Sequence, residues 1–247
     1  MISSEKEYSK QPWVDGIYII LAGIFIASLI SSNLIFQKFF SWTPLFYLQG
    51  LSSNNWLNWL SHFSIELSVG ILPYPITFLI TDIISEIYGR KKANQVVLAG
   101  FISSVFIMGV VIIGDLLPAT TWSPVSDATF HKVFGLFGPA ILASMTAYII
   151  AQFIDIRIFH YWKRLTNGKH LWLRNNGSTI FSQSIDTLSV LLLLCYFGVI
   201  EWNKFGLLFA NGFLFKVLIA ALDTPFFYII TFFLRKFFNL KLGEELK

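Results

Sequence analysis

Six apolar stretches, each about as long as a membrane crossing, dominate this sequence of 247 residues. A hydrocarbon core about 30 Å thick requires roughly 20 apolar residues in a helix. The six stretches cover residues 17–36, 65–87, 95–115, 136–157, 179–200 and 207–234. Only 13% of the residues are charged, whereas soluble domains average about 25%. The sequence therefore predicts an all-α polytopic membrane protein, with residues 1–247 forming a single integral membrane domain of six transmembrane helices.

The positions of the lysines and arginines predict how the helices are oriented. Cytoplasmic segments of membrane proteins are enriched in these residues. With the N-terminus inside, fourteen of them fall at inner positions and three at outer positions, while Lys216 lies within the last helix. The inner ones are Lys6, Lys10, Arg90, Lys91, Lys92, Arg157, Lys163, Arg164, Lys169, Arg174, Arg235, Lys236, Lys241 and Lys247, and the outer ones are Lys38, Lys132 and Lys204. Both termini are thus predicted to be cytoplasmic, and the net charge of +4 indicates topology rather than a nucleic-acid partner.

The segments between the apolar stretches differ in character. The segment 37–64 is rich in aromatic residues and too interrupted to span, which fits an interfacial or re-entrant cap. Residues 116–135 contain prolines and polar residues and are predicted to form an outer loop. The basic segment 158–178 is predicted to form the longest inner loop.

Two carboxylates, Asp82 and Glu86, interrupt the second apolar stretch. Their spacing of four places both on one helix face, one turn apart. Acidic side chains in a membrane helix are costly and usually functional, so both are candidate ligand contacts. The alternatives are a structural hydrogen bond from Asp82 to a neighbouring helix, and pairing of Glu86 with the basic residues 90–92 that follow it.

A second polar pair, Gln183 and Asp186, lies three residues apart on the fifth stretch. An amide beside a carboxylate offers donors and acceptors to a ligand edge, although such residues also join membrane helices to one another. The same spacing recurs at Gln152 and Asp155 in the fourth stretch, where pairing of Asp155 with Arg157 is the alternative.

Three further polar residues lie within apolar stretches. Asn33 is near the outer end of the first stretch, and Lys216 and Asp223 are seven residues apart in the last one. Two helical turns bring Lys216 and Asp223 to nearly the same face. They could compensate each other, or Lys216 could compensate a carboxylate on another helix.

The sequence lacks the patterns of most enzyme classes. Its four histidines have no metal-ligand spacing, and its single cysteine, Cys195, lies in an apolar run. No glycine-rich phosphate loop or serine nucleophile elbow is present. We therefore predict no catalytic residues, no metal and no cofactor, which argues against a membrane enzyme that uses the paired acids for proton transfer.

Three blocks of the sequence make it recognisable. They are FLITDIISEIYGRKKA at 78–93, RNNGSTIFSQSIDT at 174–187 and ALDTPFFY at 221–228. In these blocks and their order the chain resembles the queuosine precursor transporters, of the vitamin-uptake-transporter type. The family in turn looks distantly similar to the six-helix substrate-binding subunits of energy-coupling-factor transporters.

The resemblance implies a secondary transporter of the bacterial cytoplasmic (inner) membrane that imports 7-cyano-7-deazaguanine and 7-aminomethyl-7-deazaguanine, guanine-like bases salvaged for tRNA modification. The expected partners are this deazaguanine substrate and the lipid bilayer, with no nucleic acid. A homodimer is compatible with the sequence. The alternative function is a substrate-capture subunit of a multi-component uptake system for vitamins or nucleobases. The predicted substrate-binding residues are Asn33, Asp82, Glu86, Gln183, Asp186, Lys216 and Asp223.

Overall fold

The computed structural model describes residues 2–43, 64–135, 139–198 and 200–246, with side chains described in these ranges except at 2–11 and 139–144. In chain order the helices are α1 (Ile2–Ile35), α2 (Tyr74–Ile87), α3 (Gly89–Leu116), the short α4 (Asp127–Phe134), α5 (Pro139–Leu165), α6 (Leu171–Tyr196) and α7 (Trp202–Phe238). Two short strands, β1 (Phe39–Trp42) and β2 (Ile65–Ser68), pair in antiparallel register between α1 and α2. A 3-10 turn at Val69–Ile71 follows β2.

Five segments of the described chain are long and apolar enough to cross a membrane. They are Pro12–Ile35, Val69–Ile87, Gly89–Leu116, Leu171–Tyr196 and Trp202–Phe238. This confirms a mostly helical, polytopic membrane protein. The sixth expected crossing coincides with α5, and its membrane passage stays a prediction, as does the cytoplasmic position of both termini.

The distribution of apolar side chains is that of a protein surrounded by lipid. Along α3, Leu98, Ile102, Phe106 and Ile113 all face outward and are exposed. Many polar side chains, in contrast, are fully buried between the helices. Because exposed apolar surface of this extent is unfavourable in water and buried polar groups need partners, the arrangement suits a bilayer.

Helix α2 lies at the centre of the bundle and contacts α1, α3, α5 and α7. Every residue from Ile80 to Ile87 is buried. Its apolar face, with Ile84 and Ile87, packs into a core that includes Phe25 of α1 and Val96 of α3. The opposite polar residues of α2 consequently face the interior of the protein, where the candidate site is found.

The structure corrects the expected boundaries of the second apolar stretch. Residues 65–87 were predicted as one helix, but the helix begins at Tyr74, and the preceding residues form β2 and the 3-10 turn. In β2, buried Ile65 and Leu67 alternate with Glu66 and Ser68, as expected for a strand with one covered face. Part of the predicted interfacial cap, β1, pairs with this strand, while the cap residues 44–63 lie outside the described residues.

The two connections predicted to lie on the inner side are shorter than expected. The expected long loop at 158–178 is wrong, because α5 continues to Leu165 and α6 begins at Leu171. Likewise α3 begins at Gly89 rather than at residue 95. Gly89 has a positive φ of 80°, which allows a tight connection from α2. The predicted outer loop 116–135 contains α4. In all three places a polar sequence that hydropathy alone assigns to a loop is partly helical.

Gly70 lies where α1 and the 3-10 turn approach most closely. A Cβ atom at this position would lie 2.6 Å from the Ser32 carbonyl oxygen and 2.8 Å from Cβ of Phe36. We expect Gly70→Ala to lower the free energy of unfolding by about 1–3 kcal/mol through overpacking, seen as a lower midpoint of thermal unfolding in detergent. The matched control is Gly109→Ala in α3, where an added Cβ meets nothing within 4 Å, so the midpoint should be unchanged or higher. Equal midpoints for the two variants would contradict the close approach.

Candidate substrate-binding cavity

A cavity of about 210 Å³ lies at the end of the bundle where the strand pair meets the helices. It is bordered by the C-terminal end of α1, the start of α2, the first half of α5, the second half of α6 and the first half of α7. Sites for drug-sized ligands are typically about 300–1,000 Å³. The volume therefore suits a small ligand, such as a single planar base.

Asp186 of α6 is held in this cavity by two neighbours. Its Oδ2 atom accepts a hydrogen bond from Lys216 Nζ at 2.9 Å and another from Tyr74 Oη at 2.5 Å. Its Oδ1 atom is buried and has no hydrogen-bond partner among the described residues. One carboxylate oxygen is thus fixed by the protein, and the other is free to accept a hydrogen bond from a ligand.

Lys216 compensates a carboxylate on another helix, as one of the two sequence interpretations expected. The Lys216–Asp186 pair joins α7 to α6, and both side chains are almost fully buried. The Lys216 ammonium also lies 4.6 Å from the centre of the Tyr74 ring, within cation–π range. The alternative pairing of Lys216 with Asp223 is wrong, because the Lys216 side chain points toward α6.

Aromatic side chains form part of the cavity wall. Phe36, Phe39, Tyr74 and Tyr148 all line it. The rings of Tyr74 and Tyr148 meet edge to face, with centroids 5.2 Å apart. Because offset and edge-to-face contacts hold aromatic rings in defined orientations, these rings can present a fixed surface to a flat ligand.

The cavity also contains Asn33, as predicted, and Glu66, which the sequence analysis missed. Glu66 is exposed and lies on β2, with Ser41 of β1 as its register partner. Its position in the alternating segment Ile65–Ser68 was the available signal, but that segment was assigned to a helix. Tyr74 was likewise missed, although it directly follows Pro73 at the start of α2.

Asp82 lies outside the cavity lining, deeper in the bundle. It is fully buried and faces the carboxyl group of Asp155 on α5. Asp155 accepts a hydrogen bond from Ser182 Oγ at 2.9 Å. The suggested pairing of Asp155 with Arg157 is wrong, because Arg157 points outward and is exposed.

A polar layer separates the cavity from this aspartate pair. Gln152 Nε2 donates to Tyr148 Oη at 2.7 Å, and Thr81 Oγ1 donates to Gln152 Oε1 at 3.3 Å. Gln152 is fully buried, while Tyr148 lines the cavity. Hydrogen-bonded side chains therefore connect the cavity wall to the residue that precedes Asp82.

Glu86 is the centre of a buried ion cluster at the opposite end of the bundle from the cavity. Arg174 Nη1 and Nη2 donate to its two oxygens at 2.9 and 3.3 Å, and Arg235 Nη2 donates to Oε1. Lys163 Nζ lies 3.5 Å from Glu86 and 2.9 Å from Glu245. The suggested pairing of Glu86 with residues 90–92 is wrong, since its partners come from α5, α6 and α7.

Three of the fourteen positive charges assigned to the inner side form ion pairs inside the protein and therefore do not indicate topology. Lys163 and Arg174 are buried, Arg235 is nearly so, and all three pair with Glu86. Removing them from the comparison leaves eleven inner charges against three outer ones. The excess of positive charges on the predicted inner side therefore still favours a cytoplasmic position for both termini.

The structure brings together three of the seven predicted site residues, namely Asn33, Asp186 and Lys216. Gln183 is buried beside them on α6, with its Oε1 atom unpartnered among the described residues, but it is not part of the cavity lining. Asp223 is half-buried on α7 and lies outside the lining as well.

Comparison with known proteins places the chain in a family. A family model described as a putative vitamin uptake transporter matches residues 68–230. A curated protein named queuosine precursor transporter, from Escherichia coli (strain K12), is 30% identical over 187 residues, covering 72% of this chain and 80% of the relative. A probable queuosine precursor transporter from Bacillus subtilis (strain 168) is 28% identical over 167 residues, covering 67% of this chain and 72% of the relative.

A further probable queuosine precursor transporter, from Haemophilus influenzae, is 26% identical over 165 residues, covering 65% of this chain and 66% of the relative. No solved structure matches the chain, so the expected similarity to energy-coupling-factor subunits stays a prediction. The match to the family model covers the polar layer, the aspartate pair and, of the ion cluster, Glu86, Lys163 and Arg174. The chain therefore belongs to the queuosine precursor transporter family, of the vitamin-uptake-transporter type, and is a multi-pass bacterial membrane transporter rather than an enzyme.

Proposed function

We propose that this chain imports the queuosine precursors 7-cyano-7-deazaguanine and 7-aminomethyl-7-deazaguanine across the bacterial cytoplasmic membrane, with the cavity as the substrate site. The printed names of its relatives support the substrate class. The observation that carries the proposal is the buried Asp186 carboxylate, which is anchored through one oxygen and free at the other.

The free oxygen of Asp186 matches the chemistry of a deazaguanine. The guanine-like edge of the base carries N–H donors next to a carbonyl acceptor, and carboxylates accept from such donors in base recognition. Hydrogen bonds to a charged group are stronger than those between neutral groups. Lys216 has further N–H donors beyond the one used by Asp186, so it can donate to the carbonyl oxygen of the same edge, and Asn33 supplies an amide nearby.

The aromatic wall provides the second part of recognition. Stacking of a base on an aromatic side chain contributes about 1–3 kcal/mol. Tyr74, Tyr148, Phe36 and Phe39 all border the cavity, and Tyr74 is fixed by its hydrogen bond to Asp186. The same residue thus positions both the carboxylate and a stacking surface.

The other predicted site residues take different parts in this proposal. Gln183 lies directly behind Asp186 and is a contact for a substrate that moves deeper into the bundle. Glu86 closes the inner end through its ion cluster. Asp82 and Asp223 do not contact substrate in the cavity.

The proposed topology has six crossings, with α5 as the sixth, and both termini inside. The cavity then opens toward the outer side, since it is formed by the ends of helices that carry few positive charges. The ion cluster lies toward the cytoplasm. In this state the substrate site is accessible from outside, and the bundle below it is closed by the polar layer, the aspartate pair and the ion cluster.

The alternative is a substrate-capture subunit that needs an energising partner. The description of the matching family as a putative vitamin uptake transporter favours it. The two functions share the binding site and differ in whether the purified chain alone moves substrate.

Binding by the purified protein in detergent tests the proposed site. A ligand present at about 100 times its dissociation constant stabilises the folded protein by about 2.7 kcal/mol. Both deazaguanine bases should therefore raise the midpoint of thermal unfolding, and adenine, which lacks the guanine edge, should not. The matched control is the variant Asn203→Ala, which alters an exposed side chain outside the cavity and should respond like the wild type. Equal shifts for adenine and the deazaguanines would contradict recognition through Asp186.

A further inference from the structure

Two fully buried aspartates face each other across the α2–α5 contact. The carboxyl groups of Asp82 and Asp155 lie within hydrogen-bonding reach of each other, and neither side chain is exposed. Neither oxygen of Asp82 accepts a hydrogen bond from any described N–H or O–H group. Asp155 Oδ1 accepts from Ser182, whereas its Oδ2 has no such donor in the described chain.

The contact between the two carboxyl groups favours one proton bound between them. Two carboxylates in contact away from water cannot both be ionised, because their repulsion is poorly screened there. A proton between them turns one carboxyl into a donor and supplies the hydrogen bond that the Asp82 oxygens otherwise lack. We propose that the Asp82–Asp155 pair is a proton-binding site that couples substrate import to the proton gradient, an inference that rests on the proposed transport function.

The surrounding charges balance when the pair holds one proton. The cations of the inner cluster are Arg174, Arg235 and Lys163, and its anions outside the pair are Glu86 and Glu245. Three positive charges against two negative ones leave an excess of one, which a singly protonated pair neutralises. His160, 3.7 Å from Glu245, adds a charge only when it is protonated.

The groups that face the pair come from several helices. Arg174 of α6 and Glu86 of α2 are the other charged groups that act on Asp82. Arg235 of α7 contacts Glu86, one of these two groups. The described charged residues of α1 and α3 lie elsewhere: Asp15 is near Tyr88, and the others are at the two ends of α3.

The pair is connected to the substrate cavity on one side and to the ion cluster on the other. Tyr148, Gln152 and Thr81 form the hydrogen-bonded layer toward the cavity. Arg174 interacts electrostatically with Asp82 and donates a hydrogen bond to Glu86 toward the inner end. We infer that the substrate-loaded bundle changes between its outward-open and inward-open states only while the pair holds one proton. Loss of that proton to the cytoplasm, once the inner end is open, leaves two repelling carboxylates and prevents the substrate from being carried back out.

The test uses liposomes containing the purified full chain and radiolabelled 7-cyano-7-deazaguanine. An inward proton gradient of one pH unit, with the membrane potential clamped, should drive the wild type to accumulate substrate, up to about tenfold for one proton per substrate. Asp82→Asn and Asp155→Asn each imitate the singly protonated pair, because an asparagine amide can donate to the remaining carboxylate. Both should still bind the base and exchange labelled for unlabelled substrate, yet show no accumulation in response to the gradient.

Several results separate the alternatives. Glu201→Gln, which changes an exposed carboxylate at the start of α7, should accumulate substrate like the wild type. Accumulation by Asp82→Asn or Asp155→Asn, or wild-type exchange that ignores a proton gradient but follows a sodium gradient, would overturn the proposal. A loss of substrate binding in Asp82→Asn alone would also overturn it, and would make Asp82 a substrate ligand. If the wild type neither exchanges nor binds the base, the proposed function itself fails.

Discussion

Replacing Asp186 by asparagine is expected to lower the affinity for the deazaguanine bases by about 10- to 100-fold. The change puts either an amide N–H or a neutral oxygen where the free Oδ1 atom accepts from the ligand. Hydrogen bonds to charged groups contribute about 1.5–3 kcal/mol, which corresponds to this range of affinity. The measurement is the concentration of base that gives half-maximal thermal stabilisation, compared between the wild type and Asp186→Asn.

The buried Lys216 complicates this variant, because it loses its counter-charge. Lys216 is only 9% exposed, and a buried charge without a partner destabilises a protein strongly. The double variant Asp186→Asn/Lys216→Gln removes both charges and should recover much of the stability. It should still bind the base weakly. Recovery of wild-type affinity in the double variant would mean that Asp186 only balances Lys216 and is not a ligand contact.

Glu86→Gln is expected to produce the largest loss of stability. Glu86 is fully buried and binds both Arg174 and Arg235, with Lys163 close by. Removing one partner of a buried ion pair costs about 3–5 kcal/mol, because the remaining charges are left without compensation. We expect a strong drop in the midpoint of thermal unfolding in detergent and less folded protein in the membrane fraction.

A second substitution provides the control for Glu86. Adding Arg235→Gln to Glu86→Gln removes one of the orphaned cations and should restore part of the lost stability. Lys91→Gln, at an exposed position just after Tyr88, should leave the midpoint unchanged. If Glu86→Gln unfolds at the wild-type temperature, the ion cluster does not hold the inner end of the bundle together.

Hydropathy predicts the helical membrane architecture well, because lipid requires long apolar segments with internally satisfied backbones. It fails at the strand pair. The alternation in Ile65–Ser68 spans only four residues and continues into the apolar start of α2, so it is not distinguishable from a helix by pattern. The connection between α5 and α6 was predicted too long for a related reason, since buried Lys163 and Arg174 resemble loop charges in sequence.

For the polar residues of the site, the sequence predicts which residues are special but not which partners they contact. Their presence on apolar helices marks Asp186, Lys216, Asp82 and Glu86 as special, and this much is visible in the sequence. Which partner each one takes depends on tertiary packing between helices distant in sequence. A pairing of Lys216 with a carboxylate on another helix was among the open alternatives, but Asp186 was not identified as that carboxylate. The pairing of Glu86 with Arg174 and Arg235 was not anticipated.

The central claim is that this chain alone carries a deazaguanine base across a membrane. The most direct test is uptake of radiolabelled 7-cyano-7-deazaguanine into liposomes that contain only the purified chain. We predict saturable uptake above that of empty liposomes, competed by unlabelled 7-aminomethyl-7-deazaguanine. Binding of the base without any uptake by correctly folded protein would contradict the claim and would identify the chain as a substrate-capture subunit.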